Sequence, residues 1–239
     1  LGLPAAGNAG GGLLQPSPAG PPYVIDSYHL DGFSVIDGSL ADPAWTASQV
    51  SWTNTTLLTG KLNLTVRTFF THTHLFVGVE VRGDTTATPQ DFVEICFDSD
   101  HDATALPDPE DVKVRAKSTT AVDQYSIWYG DGTNWVQYAD HSNLPNPWPT
   151  AFAADTEMSG IATYEFRIPI ASVWGSVSPP AGDIAGFIVH GYDNSNDRHV
   201  WWPDKEAAGA APVDDCDKPN TWGDIVCHAS ANYPDHLEY

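Results

Sequence analysis

Positive charge is scarce in this sequence. Ten Lys and Arg stand against 31 Asp and Glu, a formal charge of −21. That balance repels phosphate backbones and argues against nucleic acid as a partner. It argues equally against an anionic membrane surface. It suits cations, neutral ligands such as sugars, or solubility alone. Long hydrophobic runs are also missing: none approaches the ~20 residues of a membrane-spanning helix, so no membrane insertion is expected. Good helix formers are sparse, and no long stretch repeats apolar residues at helical spacing. Catalytic signatures are absent as well. There is no G-x-S-x-G elbow, H-E-x-x-H, P-loop or dinucleotide fingerprint. Glu94 and Glu165 lie in strand-like stretches, where sequence alone leaves a carboxylate pair for glycoside hydrolysis open, but a non-enzyme is expected.

Cysteine is rare too, with three in the chain. Cys216 and Cys227 bracket a short loop rich in Asp, Pro and Gly, and a disulfide between them is expected in an oxidising compartment. Cys96, inside Val93-Glu94-Ile95-Cys96-Phe97, reads as a small buried hydrophobe. No zinc spacing occurs, and Cys227-His228 lacks the upstream Cys of a haem-attachment motif. The start at Leu1, without Met, predicts a processed chain that is secreted and extracellular or at the cell surface. In that setting the sequons beginning at Asn54 and Asn63 become candidate glycan acceptors.

What is abundant points to strands. Nine Trp, nine Tyr and nine Phe accompany frequent Val and Thr. Residues 1–22 stand apart as a Gly/Pro/Ala arm with no charged side chain and small apolar clusters at Leu1, Leu3, Leu13 and Leu14. Such a segment cannot bury enough to offset its chain entropy, so it is expected to order only against a surface. From Tyr23 to Tyr239 the chain reads as one β-sandwich domain. Alternating or continuous β patterns occur at 62–69, 75–81, 91–97, 112–116, 124–129, 135–138, 164–170, 184–192, 199–202 and 225–226. About ten strands separated by turn residues predict an all-β, antiparallel sandwich of jelly-roll type with an extended N-terminal arm.

Five stretches, in order, resemble the family-9 carbohydrate-binding-module-like domains, which are related to DOMON domains. They are Ile36-Asp37-Gly38-Ser39-Leu40-Ala41-Asp42-Pro43-Ala44-Trp45, Leu75 to Val81, Asp91 to Asp98, Tyr164 to Pro169, and Arg198 to Pro203 followed by Trp222-Gly223-Asp224-Ile225. The likeness spans roughly residues 31 to 226. It implies a β-sandwich, often with bound calcium, and members that clamp a terminal sugar between aromatic rings. Related domains bind haem b, but Met158 has no evident second axial partner, so no haem is expected. Fold alone does not settle function.

Alternating carboxylates in Asp98-Ser99-Asp100-His101-Asp102 suit a hard cation that wants six to eight oxygens. Asp98, Asp100, Asp102 and Asp111 are therefore the candidate calcium ligands, against the plain reading of a solvated acidic loop. The loop 193–197 and the group Asp214, Asp215 and Asp217 offer the same choice between turn and metal. His72 and His74 read as a surface turn before a metal pair. For a sugar, Trp148 in Asn146-Pro147-Trp148-Pro149 and the adjacent Trp201 and Trp202 are the candidates, one of the last two being expected to face outward. Two functions result. One is a structural subunit of an extracellular filament, joined to copies of itself by strand exchange of the arm and stiffened by calcium. The alternative is a carbohydrate-binding module recognising glycans through exposed tryptophans.

Overall fold

A computed structural model describes residues 23–30, 35–48, 50–53, 62–86, 88–117, 125–138, 151–157, 160–174, 182–203 and 215–228. The strands are β1 Val24–His29, β2 Val50–Thr53, β3 Asn63–Phe70, β4 His74–Arg82, β5 Phe92–Asp98, β6 Asp111–Lys117, β7 Tyr125–Gly130, β8 Trp135–Gln137, β9 Ala151–Glu157, β10 Ile161–Pro169, β11 Ile184–Asp193, β12 Arg198–Trp202 and β13 Gly223–His228. The helices α1 Pro43–Ala47 and α2 Ile170–Trp174 are single turns. The hydrogen-bonded order is β8-β7-β6-β5-β11-β13-β1-β3-β4-β10-β9, with β12 added to β11 and β2 to β3. Strand β1 runs parallel to both β13 and β3. The other pairings are antiparallel.

Two halves of this sheet close over one core. Leu64, Val66, Val77, Val79, Tyr164 and Phe166 from β3, β4 and β10 meet Val93, Ile95, Phe97, Val114, Phe187 and Val189 from β5, β6 and β11. The period of two that placed these residues on one face puts their neighbours on the outer faces. Burying each large apolar side chain contributes roughly 1.5–3 kcal/mol, and this layer holds the sandwich together. Strands β1, β2 and β9 were not anticipated: Asp, Ser and Ala interrupt the apolar alternation there, and pairing with neighbours makes them strands.

The outer face of β3, β4 and β10 is sealed by the motif at 36–45. Glu165 on β10 is fully buried there and accepts hydrogen bonds from the Asp37 amide (2.8 Å), the Gly38 amide (2.6 Å) and the Trp45 indole (2.6 Å). Burial first pushes its carboxyl pKa up, and these three donors pull it back. Trp45 packs on Phe69 and Phe76. It lies over Gly78, where a Cβ would meet Leu40 at 2.7 Å and Trp45 at 3.0 Å. So Ile36 to Trp45, Gly78 and Glu165 form a structural clasp. Glu165 and Glu94 project from opposite outer faces, so they make no catalytic pair.

Candidate functional site

The other outer face, of β12, β11, β5, β6, β7 and β8, carries chemistry. Register builds it in rows across strands. Trp201 pairs with His190, His190 with Glu94, Glu94 with Arg115 and Arg115 with Ser126. In the next row Ile188 pairs with Cys96, Cys96 with Lys113 and Lys113 with Trp128. Glu94 is 1% exposed. It accepts from Arg115 Nε at 2.7 Å and Nη2 at 2.5 Å, and its other oxygen lies 3.1 Å from His190 Nδ1. Burial works against its charge. The His190 hydrogen bond and the charges of His190, Arg115 and Lys113 outweigh that and hold the carboxyl well below the usual range. His190 Nε2 meets His199 Nδ1 at 2.9 Å, and Trp201 stacks on His190 with centroids 3.6 Å apart.

Aromatic rings and cations alternate along the same face. The Arg115 guanidinium sits 4.1 Å from the Phe92 centroid and 5.3 Å from that of Trp128. The Lys113 ammonium sits 5.3 Å from Trp128 and 4.7 Å from Trp135. Trp135 lies parallel to Trp222, 6.4 Å between centroids, and donates from its indole to the Cys216 carbonyl at 2.9 Å. Phe92, Trp128, Trp135 and Tyr192 are half-buried. Half-buried aromatic rings beside hydrogen-bonding charges suit a pyranose, whose C–H faces stack and whose hydroxyls need donors and acceptors.

The acidic loop follows β5 on the same face. Asp98, Asp100 and Asp102 each offer a carboxylate oxygen, all within 4.8 Å of one another. Asp98 accepts from the amides of Asp102 (3.3 Å) and Ala103 (3.0 Å). It pairs across strands with Asp111 and Gly186. A Cβ on Gly186 would sit 2.8 Å from that of Asp98, so glycine makes room for the carboxylate. Asp111 accepts from the Asp108 amide at 2.8 Å, and its Oδ1 is buried without a partner. Burial, then the charge of Asp100, pushes Asp98 up to about 6. Burial, then the charges of Asp98, Asp108 and Asp102, pushes Asp111 up to about 8.

Two other groups of ligating atoms are already satisfied internally. Glu94, His190 and Cys216 converge within 4.8 Å. The carboxylate and imidazole there bind each other, Arg115 and His199, and burial raises the Cys216 thiol far above its usual value, with Cys96 against it. Asp84, Asp91 and Asp193 also converge. Here Asp193 accepts from Ser195, Asn196 and Arg198, and Asp91 from Thr88 and the Asn194 amide. The loop 193–197 is thus a hydrogen-bonded turn.

Several expectations change. Cys216 and Cys227 are not bonded to each other, and all three cysteines are buried thiols outside any disulfide. Cys227 on β13 faces the central core, whereas Cys216 packs with Cys96 on the outer face, so the sheet separates them. Trp202 faces the core at 1% exposure, and Trp201, though turned outward, is covered by its neighbours at 5%. Neither is an exposed platform. Asn63 is buried at the start of β3, which removes it as an exposed glycan acceptor. His72 is exposed in a turn and His74 opens β4. Trp148, Asn54, Met158 and the arm residues Leu1, Leu3, Leu13 and Leu14 lie outside the described residues. Lys113, Arg115, His190 and His199 were not singled out from sequence. The available signal was three of only ten Lys and Arg, at 113, 115 and 117, alternating along one strand, opposite a glutamate in the polar phase of another.

Among the described residues no helix is long and apolar enough to cross a membrane. A family model described as carbohydrate family 9 binding domain-like matches residues 36–228. No curated protein matches the chain. Two solved structures of family 9 carbohydrate binding modules from Caldicellulosiruptor kristjanssonii share the fold. The one in complex with cellotriose is 18% identical, covers 87% of this chain and 95% of its own, and has a TM-score of 0.57. The one in complex with glucose is 19% identical, covers 89% and 99%, and has a TM-score of 0.56.

Proposed function

The chain belongs to the carbohydrate family 9 binding domain-like family, and from that premise we propose that it is a non-catalytic, extracellular carbohydrate-binding module. The observation that carries this reading is the row of half-buried Trp128 and Trp135 beside Lys113, Arg115 and Glu94. The rings stack on a pyranose. Arg115 and Lys113 donate to ring hydroxyls, and Glu94, buried beneath them, holds Arg115 in place. Solved structures of this fold hold cellotriose and glucose, which makes gluco-oligosaccharides the first ligands to try. Calorimetry of the full chain against a glycan panel tests the proposal. Binding is expected, with Trp128→Ala and Arg115→Ala each weakening it at least tenfold. No heat with any glycan sinks it. The filament reading rests on residues 1–22, and the comparisons favour the binding module over it.

The acidic loop is proposed to hold a calcium ion through Asp98, Asp100, Asp102 and Asp111. The residues fit: three carboxylates converge, and Asp111 Oδ1 is a buried oxygen with no hydrogen-bond partner among the described residues. The ion would supply positive charge there and tie the loop to β6. Terbium luminescence reports occupancy, and a signal that calcium does not displace would overturn the assignment.

A further inference from the structure

We propose that the sugar site is built for an acidic sugar, with Lys113 receiving a uronate carboxylate between Trp128 and Trp135. This rests on the carbohydrate reading and names the ligand class. On the ligand face the two cations differ in what they have left to give. Arg115 spends two N–H groups on Glu94. Lys113 is 7% exposed and its charge reaches Glu94, yet among the described residues its ammonium has no hydrogen-bond acceptor and no ion pair, and it lies against the faces of Trp128 and Trp135. The tip is not sealed, since it is not among the buried unpartnered atoms. A neutral hydroxyl would satisfy one donor. A carboxylate satisfies the charge as well, through a shorter and stronger charge-assisted hydrogen bond. Arg115 answers Glu94 in its row, which leaves Lys113 as the cation at the contact, with Asp98 and Asp111 one row further along the same face. The overall charge of −21 opposes an anion at long range. Salt screens that field beyond ~8–10 Å, which leaves the contact cation to decide once the sugar has docked.

The test compares cellotriose with its counterpart oxidised to a glucuronate at C6 of one terminal residue, by calorimetry on the full chain at low and high salt. The acidic trisaccharide is expected to bind at least tenfold tighter at high salt, with the preference growing as salt screens the overall negative charge of the chain. Lys113→Met keeps the apolar stem and removes the charge, and should abolish the preference, weakening the acidic trisaccharide more than cellotriose. Lys113→Arg should keep it. Equal binding of both sugars, or tighter binding of cellotriose, overturns the acidic-sugar proposal and leaves the module reading intact. Binding of neither overturns both. Should Lys113→Met fail to fold, the wild-type pair of sugars and its salt dependence still decide.

Discussion

Glu94 and Asp98 sit on one strand, on one face, four residues apart, and each is 1% exposed. They behave in opposite ways. Glu94 is held ionised because the partners that register assigns to it, His190 and Arg115, are donors and cations. Asp98 is pushed toward its protonated form by burial and then by the charge of Asp100, and its cross-strand partners Gly186 and Asp111 bring no cation. Burial raises both carboxyls, and the groups packed around each decide which protonation state wins. One end of β5 is electrostatically complete and offers a finished surface to a ligand. The other gathers carboxylates, with His101 the cation that acts on Asp98.

The largest expected effect comes from breaking the complete end. Arg115→Met leaves Glu94 buried with part of its compensation gone, and should cost about 3–5 kcal/mol in urea unfolding. An effect under about 1 kcal/mol would mean that His190 alone suffices. At the incomplete end, calcium at a hundredfold excess over its Kd should stabilise the fold by ~2.7 kcal/mol, and Asp111→Asn should abolish that gain. Unchanged thermal stability on adding calcium would show that the two ends differ in pKa alone. Crowding Asp98 through Gly186→Ala is expected to cost roughly 1–3 kcal/mol, since the new Cβ would lie 2.8 Å from its neighbour. A neutral result would show that the loop gives way.

The smallest effect is the pH profile, and it sharpens the contrast in sign. Asp98 and Asp111 have folded values of about 6 and about 8, above the unfolded 3.8, so the native state holds protons that the unfolded chain has released. In chelator, stability should therefore fall as pH rises from near 4 to about 8. Glu94 works the other way. Its folded value lies below the unfolded 4.5, so its contribution is present above that pH and lost as pH falls through it. Asp111→Asn should flatten the upper limb and Glu94→Gln the lower one, read as Tm against pH. If both variants flatten the same limb, the assignment of sign is wrong.

Much of the scaffold was legible. The alternation in 62–69, 75–81 and 112–116 named strands and their core faces, because a half-buried strand must keep one phase apolar. The resemblance of 36–45 and 164–169 to a family pattern was legible too, and the structure gives it a cause: Trp45 and Glu165 are bonded to each other across 120 residues. The convergence of Asp98, Asp100 and Asp102 could be read from a short loop. The tryptophans could not, because Trp201 and Trp202 are equally apolar in sequence, and their cover comes from His190 and Phe187 on another strand. The cysteines misled for a related reason. Closeness along the chain says nothing about which side of a sheet a thiol takes.

By itself the sequence determined that this chain makes strands, that those strands have an apolar phase, and that an acidic loop follows one of them. These are local properties, set by the pleat and by side-chain chemistry within a few residues. Only the tertiary structure decided that Glu94 meets His190, 96 residues away, and that the Lys113 ammonium lies against two tryptophans. Register between distant strands is chosen by the burial of the whole core, so the polar partners it brings together are a consequence that no single stretch encodes.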